Sequence, residues 1–201
     1  MNFDFNTDYI LENDNVLLRP LQESDYDNLL EFSINEPEIW TYSTQFSNAS
    51  GKEGLKRYIA NALDCRIKGT EYPFIVFDKK LQRYAGSTRL YAISLLQKSW
   101  EIGYTWYGKD FQGTGLNKNC KYLLLEFSFE KIGIERVGFI ADNNNKRSIA
   151  AMKSIGCTLE GILRSNIIKA DGSRRDSAIL SIIKEDWEKD VKINLKNKCN
   201  V

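Results

Sequence analysis

The sequence predicts an α/β (α+β) fold built around a mixed β-sheet. Three observations carry this. Between Ser50 and Lys68, apolar residues recur at helical spacing. Between Tyr72 and Tyr107, three runs rich in aromatic and β-branched residues follow one another across short polar turns, as in an antiparallel meander. From Trp100 onward strands and helices alternate, and a strand–helix–strand segment demands a parallel pairing.

The elements follow in order. Residues 1–15 read as a mobile arm. A first strand spans Val16 to Arg19 and ends at Pro20. Ser24 is placed to cap a short helix carrying Leu29, Leu30 and Phe32, which Pro37 interrupts. A clearer helix opens at Ser50, with Glu53 at capping-box distance and apolar Leu55, Tyr58, Ile59, Ala62 and Leu63 on one face. Gly69 stops it. Strands are expected at Tyr72–Asp78, Tyr84–Leu96 and Trp100–Tyr107. After a glycine-containing loop, Asn117 opens a helix that runs to about Ile132. It is apolar on so many sides that it must be covered more than once. A strand at Arg136–Ala141, a helix at Asn145–Ile155 and two strands at Cys157–Ile168 and Arg174–Ile183 complete the pattern. Ala170-Asp171-Gly172-Ser173 is the hairpin turn. The tail after Trp187 is polar and Lys-rich and reads as a frayed terminus.

Composition narrows the function. The chain has 201 residues, 28 Lys plus Arg and 27 Asp plus Glu, so it lacks the broad positive field that holds nucleic acid. No apolar run reaches membrane-spanning length, and the polar start reads as no signal peptide. Length fits one domain over 1–201, with a core of about 16–187. The absence of histidine removes Ser-His-Asp and Cys-His catalysis and every His-ligated metal site, and no metal is expected. Acid–base chemistry falls to carboxylates, Tyr, Lys, Cys, hydroxyls or water. Cys65, Cys120, Cys157 and Cys199 form no CxxC pair, which suits reduced thiols in a cytoplasmic setting.

Three local patterns carry chemistry. Gln112-Gly113-Thr114-Gly115-Leu116-Asn117-Lys118 lies between a strand and a helix, where glycines expose amides and a helix start adds unpaired N–H groups: a phosphate-binding arrangement. It is neither a P-loop nor a dinucleotide fingerprint, since Lys118 stands at the third glycine position. An ordinary tight turn explains the same residues. In Trp100-Glu101-Ile102-Gly103-Tyr104-Thr105-Trp106, alternation puts Glu101, Gly103 and Thr105 on one face and Ile102, Tyr104 and Trp106 on the other. A carboxylate beside a position without a side chain suits a ligand lying against the backbone, and a solvated strand face suits it too. Asn143-Asn144-Asn145-Lys146-Arg147-Ser148 opens the next helix, with Asn145 as its cap, at the strand end where open α/β sheets place ligands.

Taken in order, these segments resemble the GNAT superfamily of N-acetyltransferases, in the branch of the ribosomal-protein N-terminal acetyltransferases. The resemblance is carried by Glu101-Ile102-Gly103-Tyr104, Gly113-Thr114-Gly115-Leu116-Asn117, the helix from Lys121 to Glu130, Arg136-Val137, Asn145 with Ser148, Lys153 to Cys157 and Glu160 to Arg164. Val16 to Leu21 with Ser24-Asp25 is similar to the family's opening strand and helix, so the likeness covers about Val16 to Trp187. It implies a twisted mixed sheet of six to seven strands flanked by about four helices. Two parallel strands, Trp100–Tyr107 and Arg136–Ala141, splay apart around acetyl-CoA. The pyrophosphate would lie on the amides of Gln112 to Asn117 and the pantetheine arm along Ile102 to Trp106. Asn145 matches a CoA-contacting Asn, and Ser148 a hydroxyl near the thioester sulfur. Asn117 departs from the Gly or Ala usual at its place.

The implied reaction is direct transfer of acetyl from acetyl-CoA to a primary amine, either a protein N-terminus or a small molecule. Glu101 is then the candidate base, amides near Gly103 and Tyr104 polarise the carbonyl, and Ser148, or Tyr104 or Tyr91, serves the leaving thiolate. A CoA-binding sensor or scaffold on the same fold is the alternative. Trp40, Tyr42 and the hairpin at Asp171–Arg175 are expected to rim the acceptor cleft, or the hairpin to form a contact between copies. Monomer and homodimer both remain open.

Overall fold

The computed structural model describes residues 3–44, 47–169 and 171–199. Its one sheet contains eight strands: β1 (Leu11–Glu12), β2 (Val16–Pro20), β3 (Tyr72–Asp78), β4 (Arg83–Ser94), β5 (Ser99–Tyr107), β6 (Arg136–Asp142), β7 (Thr158–Ile168) and β8 (Arg174–Ile183). Their order is β1-β2-β3-β4-β5-β6-β8-β7. The expected meander is β3-β4-β5, and the one parallel pair is β5 with β6. β1, only two residues long, is the strand beyond the predicted seven.

Two helices, α1 (Tyr26–Asn35) and α2 (Gly51–Ile67), cover one face of the sheet. There the buried Tyr58 of α2 donates to Ser87 Oγ (3.1 Å), and Phe32 of α1 packs edge-on against Trp106. The other face carries α3 (Leu116–Glu126), which continues as a π-helical stretch, Phe127–Ile132. Trp100 of β5 donates to Ser128 in that stretch at 3.0 Å. α4 (Lys146–Ser154) follows β6. The chain closes with α5 (Lys184–Asp186), a π-helical stretch (Trp187–Val191) and α6 (Lys192–Cys199).

Four expectations change. The first segment packs instead of trailing: Phe3 is buried among Tyr9, Tyr72, Trp100 and Phe127, because an aromatic side chain gains more from that cluster than from water. The tail is helical and docked on α3, with Trp187, Val191, Leu195 and Cys199 buried at four-residue spacing. Ser24 is not a cap. It lies inside a 3-10 turn (Glu23–Asp25), and buried Asp25 takes the N–H of Gln22 and a bidentate pair from Arg19 at 2.6 and 2.8 Å. Ser50 precedes α2 as expected but makes no side-chain cap bond, and Glu53 pairs instead with Lys56 at 3.2 Å. Of the hairpin turn, Ala170 lies outside the described residues. The flanking Lys169 N–H donates to Ser173 O at 2.8 Å.

Candidate functional site

The parallel pair positions the site. β5 and β6 pair only through Ser99–Arg136, Trp100–Val137 and Glu101–Gly138. Beyond Glu101 they diverge, and the wedge between them opens into a cavity of about 1020 Å³ lined by Ile102 to Tyr107 on one wall and Phe139 to Asp142 on the other.

A bulge shapes the first wall. The β4–β5 register passes from Ser87–Trp106 to Arg89–Gly103, one residue more on β5 than on β4. Tyr104 absorbs it at φ 49°, in the left-handed region. The bulge overturns the simple alternation expected here. Thr105 turns toward α3, where its Oγ1 lies 2.7 Å from Thr88 Oγ1 and accepts from Lys121 Nζ at 2.8 Å. Tyr104 and Trp106 turn toward α2. Tyr104 stacks under the Arg89 guanidinium (4.3 Å) and edge-on to Tyr91, while Trp106 packs on Phe32, Trp40 and Tyr58.

The α3 side of the wedge suits an anion. Gly113, Gly115, Asn117 and Lys118 line it, as do Arg147, Asn145 and Ser148 from the start of α4. Gly115 caps α3 at φ 90°, and the space where its side chain would stand is empty. The Asn145 side chain accepts the Ser148 N–H at 3.0 Å, as the sequence predicts for a cap. Gln112 acts as a brace. Its N–H donates to Lys109 O, its Nε2 to Tyr107 O (2.8 Å), and its Oε1 accepts from Arg147, tying the loop to α4. Thr114 and Leu116 do not line the cavity. Thr114 Oγ1 donates to Phe111 O at 2.9 Å, and Leu116 is buried beneath the loop.

Lys121, which sequence reasoning passed over, reaches the wedge from the second turn of α3. It is 5% exposed, and its ammonium donates to two threonine hydroxyls, Thr105 and Thr88. Burial holds its pKa down at about 8. The α3 stripe carried a signal for it: a lysine among apolar residues at core spacing.

The α2 side gathers a different set. Tyr91 lies over Gly103, where a side chain would strike its ring at 2.6 Å, and Gly138 leaves room for the Glu101 side chain in the same way. Glu101 does not line the cavity, whereas Tyr91 beside it does. Burial first, and then the Glu101 carboxylate, push the Tyr91 phenol far above its ordinary value, so it stays protonated. One Glu101 oxygen, Oε2, is buried and takes no hydrogen bond. Trp40, Tyr42, Arg174 and Arg175 also line the cavity, whereas Asp171, Gly172 and Ser173 of the hairpin expected at the rim do not. Among the described residues no cluster of acidic or Cys side chains fits a metal ion, and no helix is long and apolar enough to cross a membrane.

The sequence pattern described as Acetyltransferase (GNAT) domain matches residues 15–158. The Bacillus subtilis (strain 168) protein named "Putative ribosomal N-acetyltransferase YdaF" is 26% identical over 182 residues, covering 88% of this chain and 95% of that protein. A GCN5-related N-acetyltransferase from Brucella melitensis superposes with a TM-score of 0.84 at 23% identity, over 94% of this chain and 84% of that one. Mycobacterium smegmatis RimJ, solved with CoA-disulfide, superposes at 0.77 and 18% identity, over 94% and 93%. The matched pattern runs from β2 through both walls of the wedge and the start of α4, and the chain belongs to the GNAT family of acetyltransferases.

Proposed function

We propose that this protein transfers the acetyl group of acetyl-CoA directly to a primary amine, without a covalent enzyme intermediate. The observation that supports this most is the wedge, where two parallel strands separate after three residue pairs and leave a cavity open to both faces of the sheet. The α3 face fits CoA. Its glycine loop has open space above Gly113 and Gly115, and Lys118, Lys121 and Arg147 supply positive charge. In this reading the pyrophosphate rests on the remaining amides between Gly113 and Lys118, with Asn145 beside it. The pantetheine arm runs along Ile102 to Trp106. The bulge at Tyr104 frees a backbone N–H to polarise the thioester carbonyl.

The amine enters from the α2 face. A terminal amine with a pKa of roughly 8 is largely protonated at neutral pH and must lose a proton before it attacks. Glu101 takes that proton, passed along the Tyr91 hydroxyl or a water beside it. The new C–N bond then forms as the C–S bond breaks, and the thiolate leaves toward Ser148. The name of the B. subtilis relative supports a protein N-terminus as acceptor, and a small-molecule amine suits the same cleft.

The test is a pH–rate profile of the wild type and Glu101→Gln on the best amine of a panel. The variant keeps the shape and loses the proton acceptor. Its turnover should fall by roughly 10²-fold near neutral pH, the scale of general-base catalysis, and recover as pH rises and the amine deprotonates by itself. CoA affinity should not change. Equal rates across the range would exclude Glu101 as the base, and absence of turnover with every amine would overturn the transferase reading.

A further inference from the structure

Two segments meet at one side of the cleft. Thr44, after α1, forms a β-bridge with Lys169 at the β7–β8 turn, which ties the segment carrying Trp40 and Tyr42 to the hairpin. On the hairpin stands Arg175 of β8, opposite Ile167 of β7. Its Nη1 donates to Tyr42 O at 3.2 Å, which aims the guanidinium over the wedge. Its Nε is buried and donates to nothing, and neither does the buried indole N–H of Trp40, which lines the same cavity.

Arg175 is the cation held in reserve here. The neighbouring Arg174 spends its Nε and one Nη on Ser165 at 2.5–3.1 Å. Asp142 and Tyr91 face Arg175, but the Asp142 Oδ1 accepts the Asn144 N–H at 2.8 Å, and no carboxylate among the described residues pairs with Arg175. Burial accordingly works against its charge. A half-buried guanidinium whose Nε is buried and unused gains from a ligand that takes its donors, and its planar fork matches a carboxylate.

Resting on the transferase reading, we propose that the acceptor is an amine carrying a carboxylate a few bonds from the reacting nitrogen, and that Arg175 recognises that carboxylate. Such a molecule would present its amine to the Tyr91 hydroxyl, with Glu101 beside it, and its carboxylate to Arg175, and Tyr91 and Arg175 line the same cavity. Free amino acids and chain N-termini followed by an acidic residue share this chemistry.

Matched acceptors test it. One arm compares amino acids with their amides. The other compares peptides beginning Ala-Asp with those beginning Ala-Asn. In one arm the wild type should prefer the carboxylate by about tenfold or more in kcat/KM, the scale of a lost charge-assisted bond. The arm that shows the preference names the source. Arg175→Gln should erase the preference while CoA affinity, followed by calorimetry, stays unchanged. Arg175→Lys, which keeps the charge, should retain part of it and guards against misfolding of the first variant. Turnover without a preference for the carboxylate, or a preference that survives in Arg175→Gln, would overturn this inference alone. Turnover of no amine would overturn it together with the transferase reading.

Discussion

Lys121 is a cation in the wall of the wedge whose only hydrogen-bond partners among the described residues are neutral hydroxyls, and this sets a pH dependence. Burial lowers its folded-state pKa to about 8, against an ordinary value of 10.5. Below pH 8 both folded and unfolded chains hold the proton, and the folded state bears the full desolvation cost. Between 8 and 10.5 only the unfolded chain holds it, so this group's contribution to stability rises with pH and levels off above. Lys121→Met should therefore be more stable than wild type near neutral pH, by up to about 3 kcal/mol, with the gap closing as pH approaches 10. Urea unfolding of both proteins at about pH 7 and about pH 9.5 measures it, and a gap that stays constant with pH would refute the assignment. Thr88 and Thr105 can bond each other in the variant, as they already lie 2.7 Å apart. The sequence names Glu101, Asn145 and Ser148 because their chemistry is visible in short motifs. Lys121 sits in a segment that reads as a helix stripe, and the sequence reaches Arg175 only as the end of a hairpin at the expected rim; what each side chain faces comes from the fold.

The loop before α3 works as an element. Gly115 holds a left-handed φ of 90° at the start of the helix, with open space above it. Gly115→Glu should abolish CoA binding, since the side chain fills the approach to the amides and its charge repels the pyrophosphate. The backbone strain, about 1 kcal/mol for a non-glycine residue in this region, should leave the protein folded. Calorimetry reads this directly, and CoA binding within a few-fold of wild type would refute the loop assignment. This loop was legible in the sequence because glycine spacing and a helix start are local signals. The bulge in the strand feeding it was not. Gly103 and Thr105 share a face on paper, but the chain inserts Tyr104 as an extra residue to follow the β4 register, and the two part to opposite faces. The π-helical stretch Phe127–Ile132 is likewise absent from the pattern, which reads as continuous α-helix.

At the scale of the molecule, the two ends of the chain lock the frame around the site. Asn15 and Asn119 both donate to the Cys199 carbonyl, at 3.3 and 3.4 Å, so the start of β2, helix α3 and the last helix meet at one point. Trp187 anchors that helix: it is 1% exposed, stacks on Phe129 and donates to Glu130 Oε1 at 2.8 Å. Trp187→Ala should cost about 3–5 kcal/mol of stability by denaturant titration, the usual range for a buried tryptophan, and leave the CoA affinity of the folded protein near wild type. A loss under 1 kcal/mol would mean the tail is only loosely attached. The sequence by itself determined seven of the eight strands, the helices α1 to α4, their order, the glycine loop before α3 and the family, because each is written in periodicity, glycine placement and motif spacing over a few residues. The tertiary structure decided the rest: where β5 and β6 part, which face each β5 side chain takes after the bulge, that Phe3 and the helix Lys192–Cys199 pack, and that Tyr91 and Arg175, from two distant strands, line one wedge with Glu101 beside Tyr91. Those outcomes depend on register and twist between strands distant in the chain, and on the burial of polar groups when the sheet closes, which no local pattern contains.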